Sequence, residues 1–172
     1  ADLGVAFVQG LQEHGAVATG KHFPGHGDTE TDSHLALPII RIDRERLDAI
    51  ELVPFRAAID AGIQGIMTAH IAVPEISGET IPATLSEAVL TSLLRNDLGF
   101  DGIIFTDAMD MDAVDRLFPR GEAPVLAVLA GADVILMPRG VKQAIDAIVK
   151  AVDTGRLTEA RIDESVGRLL RL

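Results

Sequence analysis

The sequence predicts an α/β fold of the (β/α)8 TIM-barrel type, of which this chain carries four βα units. Three observations lead to this prediction. Four short apolar runs alternate with longer segments of helical periodicity. Each run is apolar at consecutive positions, which is typical of parallel strands covered on both faces. Polar residues with catalytic capacity follow three of the four runs, as they do at the carboxyl ends of barrel strands.

The number of units indicates half of a barrel. A complete barrel has eight units and about 250 residues, whereas this chain has 172 residues. We therefore expect residues 1–172 to form a single segment, the second half of a barrel domain. An open doubly wound sheet is less favoured, because its first strand would lead into a glycine-rich phosphate loop, and PGHG is not such a loop.

Four segments are predicted to be strands, because each is a short run of mainly apolar residues between glycine or polar positions. In chain order they are residues 16–20, 63–69, 102–106 and 132–137. The first leads into the loop KHFPGHGDTETDSH at positions 21–34. The second ends at His70, and the third ends directly before Asp107.

Helices are predicted from apolar periodicity and from residues that start or stop a helix. The predicted helices are 3–14, 43–62, 86–98, 110–130 in part, 141–155 and a last helix that Asp163 caps. The first helix places on one face the apolar residues Leu3, Phe7 and Leu11. Asp43 is a plausible N-cap for the second, and Pro54 is expected to kink or restart that helix.

Composition and charge exclude several classes of function. A hydrophobic content of 48% with 24% charged residues indicates a folded protein. The net charge of -11, without a cluster of Lys and Arg, argues against a nucleic-acid partner. The absence of cysteine excludes disulfides and thiol chemistry. The sequence shows no run of membrane-spanning length and no charged-then-apolar leader, so we expect no membrane association. We expect a cytoplasmic location, with export as the alternative.

The histidine-rich loop has three interpretations. It could be a solvated polar loop, although Pro24 and its glycines indicate a fixed backbone path. It could hold a metal, with the possible ligands His22, His26, Asp28, Asp32 and His34. It could also carry an acid–base pair in which Asp32 tunes the imidazole of His34.

Two other candidate residues also have structural interpretations. A carboxylate that follows a buried strand, as Asp107 does, often caps the next helix. Lys21, at the start of the histidine-rich loop, could serve only as an ion-pair partner.

Four motifs together resemble the glycoside hydrolase family 3 β-N-acetylglucosaminidases of bacterial cell-wall recycling. The motifs are KHFPGHGDTETDSHLALP, IMTAHIAVP, GFDGIIFTDAMDM and GRLTEARIDESVGRLLRL. They occur in the family's order and span nearly the whole chain. The resemblance implies strands five to eight of the family's barrel domain, a sugar substrate, no cofactor and no metal.

The resemblance also implies roles for individual residues. Asp107 falls on the catalytic nucleophile, His34 on the general acid/base and Asp32 on the carboxylate that partners this histidine. Lys21 and His22 would then bind sugar hydroxyls. A retaining glycosidase needs a nucleophile and a proton donor on opposite sides of the sugar, usually two carboxyl groups. A His–Asp pair can replace the second, because imidazole changes charge near neutral pH.

His70 lies in the second motif, near the same pocket, and is expected to contact the substrate as well. The family's first four strands carry further sugar-binding residues that this chain lacks. We therefore expect the isolated chain to be inactive or weakly active until a missing N-terminal half barrel or a second copy completes it.

Other functions stay open on sequence grounds. Another family 3 activity is possible, either a β-glucosidase or a phosphorylase in which phosphate replaces water. A metal-dependent barrel hydrolase would use His22, His26 and His34 as ligands. A non-catalytic half barrel that self-associates is the third alternative.

Overall fold

A parallel sheet of strand order β1-β2-β3 forms the centre of the structure. The structure is a computed structural model that describes residues 1–27, 36–119 and 121–172. The strands are β1 Thr19–Phe23, β2 Gly65–Thr68 and β3 Ile103–Phe105. Both neighbouring pairs are parallel, so the predicted alternation of helices with parallel strands is confirmed.

The first strand lies further along the chain than predicted. It covers Thr19–Phe23 instead of residues 16–20, because pairing with β2 selects the segment. Gly65 N–H donates to the Ala18 carbonyl at 2.9 Å, and Ala69 N–H donates to the Phe23 carbonyl at 2.8 Å. As a result, Lys21 and His22 belong to the strand itself and do not begin the loop.

The predicted fourth strand is only partly formed. Residues 132–137 run beside β3, but one isolated bridge between Phe105 and Val134 is the pairing observed. Backbone bonds do join the two segments, for example from Thr106 N–H to the Val134 carbonyl at 3.0 Å. Two side chains, however, replace backbone acceptors. Ile104 N–H donates to the Asp133 carboxylate at 2.9 Å, and Leu136 N–H donates to the Thr106 hydroxyl at 2.9 Å. These two bonds use backbone donors that a regular ladder would use.

Helices connect and flank the strands. They are α1 Asp2–Glu13, α2 Arg44–Arg46, α3 Val53–Asp60, α4 Pro74–Ser77, α5 Asp112–Asp115, α6 Glu122–Ala130, α7 Val141–Asp153 and α8 Glu159–Leu169. Two π-helical segments, Leu47–Glu51 and Ala88–Asp97, and a 3-10 turn at Ala83–Leu85 complete the set.

The helix ends confirm one predicted cap and correct another. The Asp43 carboxylate accepts from Arg46 N–H at 2.8 Å, as an N-cap does. Asp163 was expected to cap the last helix but lies inside α8. The cap is Thr158, whose hydroxyl accepts from Arg161 N–H at 3.2 Å. The helix therefore starts one turn earlier than predicted.

Apolar side chains remain exposed at both ends of the strand order. On α1, which contacts α3 beside β1, Leu3 is 90% exposed and Phe7 is 69% exposed. The sequence predicts one apolar face made of Leu3, Phe7 and Leu11. Of these three residues, only Leu11 packs against the core in the structure. α7, which follows residues 132–137 beside β3 and contacts α6, exposes Val141, Ile145 and Val149. Within the three described ranges, we find no helix long and apolar enough to cross a membrane.

Candidate active site

Three predicted site residues come together at the carboxyl ends of adjacent strands. His22 lies near the end of β1, His70 lies two residues after β2, and Asp107 lies two residues after β3. The carboxyl ends of neighbouring parallel strands meet at one edge of the sheet, where barrel enzymes place their catalytic residues. The sheet order therefore assembles residues that are 85 positions apart along the chain (107 minus 22).

Asp107 holds its two carboxylate oxygens in different surroundings. Oδ1 accepts a hydrogen bond from Ala108 N–H at 2.8 Å. Oδ2 lies 3.6 Å from His22 Nε2, which is too long for a hydrogen bond but close enough for electrostatic attraction when the ring is protonated. The Asp107 side chain is 16% exposed. The backbone N–H of the next residue thus fixes the carboxylate, which is still partly exposed to solvent.

Lys21, His22 and His26 line one cavity. Its volume is about 720 Å³, and it extends from the end of β1 along α1 and α3. The rings of His22 and His26 meet edge to face with centroids 6.0 Å apart. Two imidazoles and the Lys21 side chain thus line one cavity, and His22 connects it to Asp107 through the 3.6 Å contact.

Gly25 shapes the chain where it leaves β1. It has a φ of 134°, which a side chain rarely adopts. A Cβ atom at this position would also come within 2.9 Å of Glu51 Cβ. Both facts explain why the PGHG segment needs glycine there: the chain turns tightly against the π-helical segment Leu47–Glu51.

His70 is completely buried, and its two ring nitrogens bond to the protein. Nε2 lies 3.0 Å from the Ala108 carbonyl, and Nδ1 lies 2.9 Å from the Thr84 hydroxyl. A carbonyl only accepts, so Nε2 carries a proton. Burial, as the main cause, lowers the pKa of His70 and favours the neutral ring, so Nδ1 accepts from Thr84. Neither nitrogen is then available to a sugar hydroxyl.

We expect the buried His70 ring to make folding stability fall at mildly acidic pH. The unfolded chain protonates this ring near the ordinary histidine pKa of about 6.5, whereas the folded protein does so only at lower pH. The stabilisation is therefore complete above about pH 6.5 and is lost as the pH drops towards the lowered pKa. The slope contributed by one proton is at most about 1.4 kcal/mol per pH unit.

Denaturant unfolding across this pH range measures the effect in the wild type and in His70→Gln. The surrounding titratable groups are the Asp107 carboxylate, which favours the charged ring, and the imidazoles of His22 and His26, which oppose it. His14→Gln is the matched control, because His14 is an exposed histidine at the end of α1. We expect a shallower slope only for His70→Gln; equal slopes in all three proteins would contradict the prediction.

Asp32 and His34, the predicted acid–base pair, lie outside the described residues, as does Asp28. Among the residues that the structure does describe, we find no group of three or more His, Asp or Glu side chains that could hold a metal ion. The metal interpretation depends partly on the three residues that lie outside.

Thr68 and Thr84 belong to the site but escaped sequence reasoning. Both are fully buried, and their hydroxyl oxygens lie 2.8 Å apart. Thr68 precedes His70 by two positions, and strand periodicity alone could have placed both residues on one face. No sequence signal points to Thr84, which lies in the 3-10 turn Ala83–Leu85 after α4.

Sequence comparisons relate this chain to known proteins. The family model described as "Glycosyl hydrolase family 3 N terminal domain" matches residues 1–172. Beta-hexosaminidase A of Pseudoalteromonas piscicida is 35% identical over 190 residues, which is 99% of this chain and 32% of that protein.

Solved structures show the same similarity. A glycoside hydrolase family 3 beta-N-acetylglucosaminidase from Paenibacillus sp. str. FPU-7 has a TM-score of 0.95 and 51% identity, covering 98% of this chain and 33% of that one. A beta-glucoside phosphorylase has a TM-score of 0.91 and 29% identity, covering 96% of this chain and 32% of that one. The chain thus spans about a third of the length of these three relatives.

Proposed function

Because this chain belongs to glycoside hydrolase family 3, we propose that it carries the catalytic residues of a retaining β-N-acetylglucosaminidase. The substrate would be a terminal β-N-acetylglucosamine on peptidoglycan-derived or related sugars. The observation that carries the proposal is the arrangement of Asp107. Its carboxylate is partly exposed, bonds to its own backbone through one oxygen and faces His22 through the other.

In the first chemical step, Asp107 attacks the anomeric carbon. We assign the attack to Oδ2, because Oδ1 already accepts from Ala108 N–H. The bond between the anomeric carbon and the glycosidic oxygen breaks, and imidazolium His34 gives this oxygen its proton. The product of the step is a glycosyl ester on Asp107, with the configuration at the anomeric carbon inverted.

In the second step, water hydrolyses the glycosyl ester. Neutral His34 takes a proton from the water as its oxygen attacks the anomeric carbon, and Asp107 leaves as a carboxylate. The second inversion restores the original configuration. Asp32 would orient the His34 ring and stabilise its charged form, and assistance of this kind is worth about a hundred- to ten-thousand-fold in rate.

Lys21 and His22 are proposed to bind the sugar hydroxyls. Both line the cavity at the end of β1, and His22 Nε2 also lies 3.6 Å from the Asp107 carboxylate.

The chain is proposed to act together with the rest of a barrel. Exposed apolar residues occur on α1 at one side of the strand order and on α7 at the other, and these are the two sides where further βα units would pack. Burial of each such side chain would stabilise the assembled barrel by about 1.5 to 3 kcal/mol. We call residues 1–172 together with the missing half, supplied by the same polypeptide or by another chain, the completed barrel.

Release of a chromogenic phenol from its β-N-acetylglucosaminide tests the proposed function. The rate is measured for the 172-residue chain alone and for the completed barrel, each with and without chelator. Turnover by the completed barrel that survives chelator and gives the β-anomer as first product is the expected result. No turnover by a folded completed barrel would overturn the proposal, and turnover destroyed by chelator would favour a metal-dependent hydrolase.

Phosphorolysis is the second candidate, and the likeness to a beta-glucoside phosphorylase favours it. The two reactions differ in the acceptor that attacks the glycosyl ester. Adding phosphate to the same assay separates them. A rate that depends on phosphate, with a sugar phosphate as product, would replace hydrolysis as the function.

A further inference from the structure

We infer that His70 is a positioning residue for the nucleophile, and that the hydroxyls of Thr84 and Thr68 fix its ring. This inference rests on the proposed function, since it assigns to Asp107 the attack on the sugar. It changes the expected role of His70 from sugar contact to support of the backbone beneath the site. Three groups of contacts lead to it.

The first group holds residue Ala108 on both sides. Its N–H donates to Asp107 Oδ1 at 2.8 Å, which fixes the carboxylate against the backbone. Its carbonyl accepts from His70 Nε2–H at 3.0 Å. The position of the carboxylate therefore depends on the position of Ala108, and His70 fixes that position from the β2 side of the sheet.

The second group holds the same segment from the opposite side. Met109 N–H, in the peptide group whose carbonyl His70 binds, donates to the Leu136 carbonyl at 2.9 Å. Thr106 N–H donates to the Val134 carbonyl at 3.0 Å, and the Thr106 hydroxyl accepts from Leu136 N–H at 2.9 Å. The segment that carries Asp107 is thus bonded to residues 132–137 on one side and to His70 on the other.

The third group sets the direction of the His70 hydrogen bond. Thr84 Oγ1 lies 2.9 Å from His70 Nδ1, and Thr68 Oγ1 lies 2.8 Å from Thr84 Oγ1. With Thr84 donating to Nδ1, the single ring proton belongs on Nε2, where it meets the carbonyl. The other tautomer would set the Nε2 lone pair against the carbonyl oxygen, and a buried polar contact of that kind is destabilising.

Thr84 has a second acceptor within reach, the Ala69 carbonyl at 3.0 Å. Its one proton cannot serve both acceptors. The Nδ1 atom of a buried neutral imidazole with its proton on Nε2 needs a donor. We therefore assign the Thr84 hydroxyl proton to the hydrogen bond with His70 Nδ1, and the Thr68 hydroxyl donates to Thr84 Oγ1. The chain of donors then runs from Thr68 through Thr84 and His70 to the Ala108 carbonyl.

Removing the Thr84 hydroxyl tests the inference with little change in volume. In the completed barrel, we expect Thr84→Val to lower kcat roughly ten- to a hundredfold at nearly unchanged KM, because a displacement of about 1 Å can cost a hundredfold. Thr84→Ser restores the hydroxyl and should recover the wild-type kcat. The ¹⁵N spectrum of the His70 ring should show a proton on Nε2 in the wild type and an altered tautomer population in Thr84→Val.

Thr91→Val is the matched control. The Thr91 hydroxyl also makes an internal hydrogen bond, which it donates to the Ala130 carbonyl at 2.8 Å. It lies within the π-helical segment Ala88–Asp97 and bonds to the end of α6. It should retain the wild-type kcat once rates are corrected for the folded fraction, which thermal unfolding gives.

The outcomes separate this inference from the proposed function. An active wild type in which Thr84→Val matches Thr91→Val in kcat would overturn the inference alone. A wild-type ring protonated on Nδ1 would do the same. A folded wild type without turnover would overturn the proposed function, and the positioning role with it.

Discussion

Replacing Asp107 by alanine is expected to lower the turnover of the completed barrel by about four orders of magnitude or more, as removal of an enzyme nucleophile typically does. The variant keeps the acid–base pair and the sugar-binding side chains, but no atom can form the glycosyl ester. Folding should change little, because the Asp107 side chain is partly exposed and accepts its hydrogen bond from the adjacent residue Ala108.

Azide gives this prediction a sharper test than loss of rate. A small anion can enter the space that the carboxylate leaves and attack the anomeric carbon from the same side. The product would be the glycosyl azide with inverted configuration, and the rate should rise with azide concentration. Retained configuration in that product would contradict the assignment of Asp107 as the nucleophile.

Asp112→Asn is the matched control for Asp107. Asp112 follows in the same segment, starts α5 and pairs at 2.7 Å with Arg116, whose side chain is 73% exposed. An ion pair with one well-solvated partner contributes about 0 to 1 kcal/mol. We expect turnover close to the wild-type value, so a comparable loss in both variants would indicate a general defect of the segment.

Of the substitutions proposed for this protein, Asp133→Asn is expected to cost the most folding stability. We expect a loss of about 3 to 5 kcal/mol, which is the range for breaking a buried ion pair. The Asp133 side chain has no exposed surface and lies beside three guanidinium groups. They belong to Arg95, Arg161 and Arg168, whose side chains are 11%, 16% and 18% exposed. The amide would keep the shape of the side chain but remove the charge.

The surroundings of Asp133 explain why the loss should be large. Burial lowers the pKa of Arg95 to about 10, which shows how strongly this site penalises a cation. Without the carboxylate, the three cations repel one another with little solvent to screen them. The same carboxylate also accepts from Ile104 N–H and from the Ser165 hydroxyl at 2.6 Å, so it ties β3 to α8.

Chemical denaturation of the purified protein measures this effect. Asp146→Asn is the control with the same substitution: Asp146 pairs with Lys142 on α7, and its side chain is 60% exposed. We expect the control to change the free energy of unfolding by less than about 1 kcal/mol. Similar losses for the two variants would show that the buried cluster contributes no more than a surface pair.

Much of the fold could be predicted from the sequence, because the relevant signals are local. The strand at residues 102–106 is bounded by Gly102 and Asp107, and the observed β3 lies within it. Asp43 was predicted as an N-cap from its residue type, and its carboxylate does cap α2. Such features depend on a few consecutive residues.

Errors arose where a distant segment decided the local structure. The first strand lies further along the chain than predicted, because its limits follow from pairing with β2, more than forty residues away. The fourth segment lost its regular pairing because side chains of Asp133 and Thr106 took backbone donors. Neither competition is visible in a run of apolar residues.

The sequence by itself determined the alternation of strands and helices, the family and the residue types available for catalysis. Only the tertiary structure decided which of these residues meet. It brought His22 within 3.6 Å of Asp107, and it enclosed His70 between Thr84 and Ala108 beneath the site. The physical reason is that strand order and burial are set by contacts between distant segments, whereas residue type records only what a side chain is able to do.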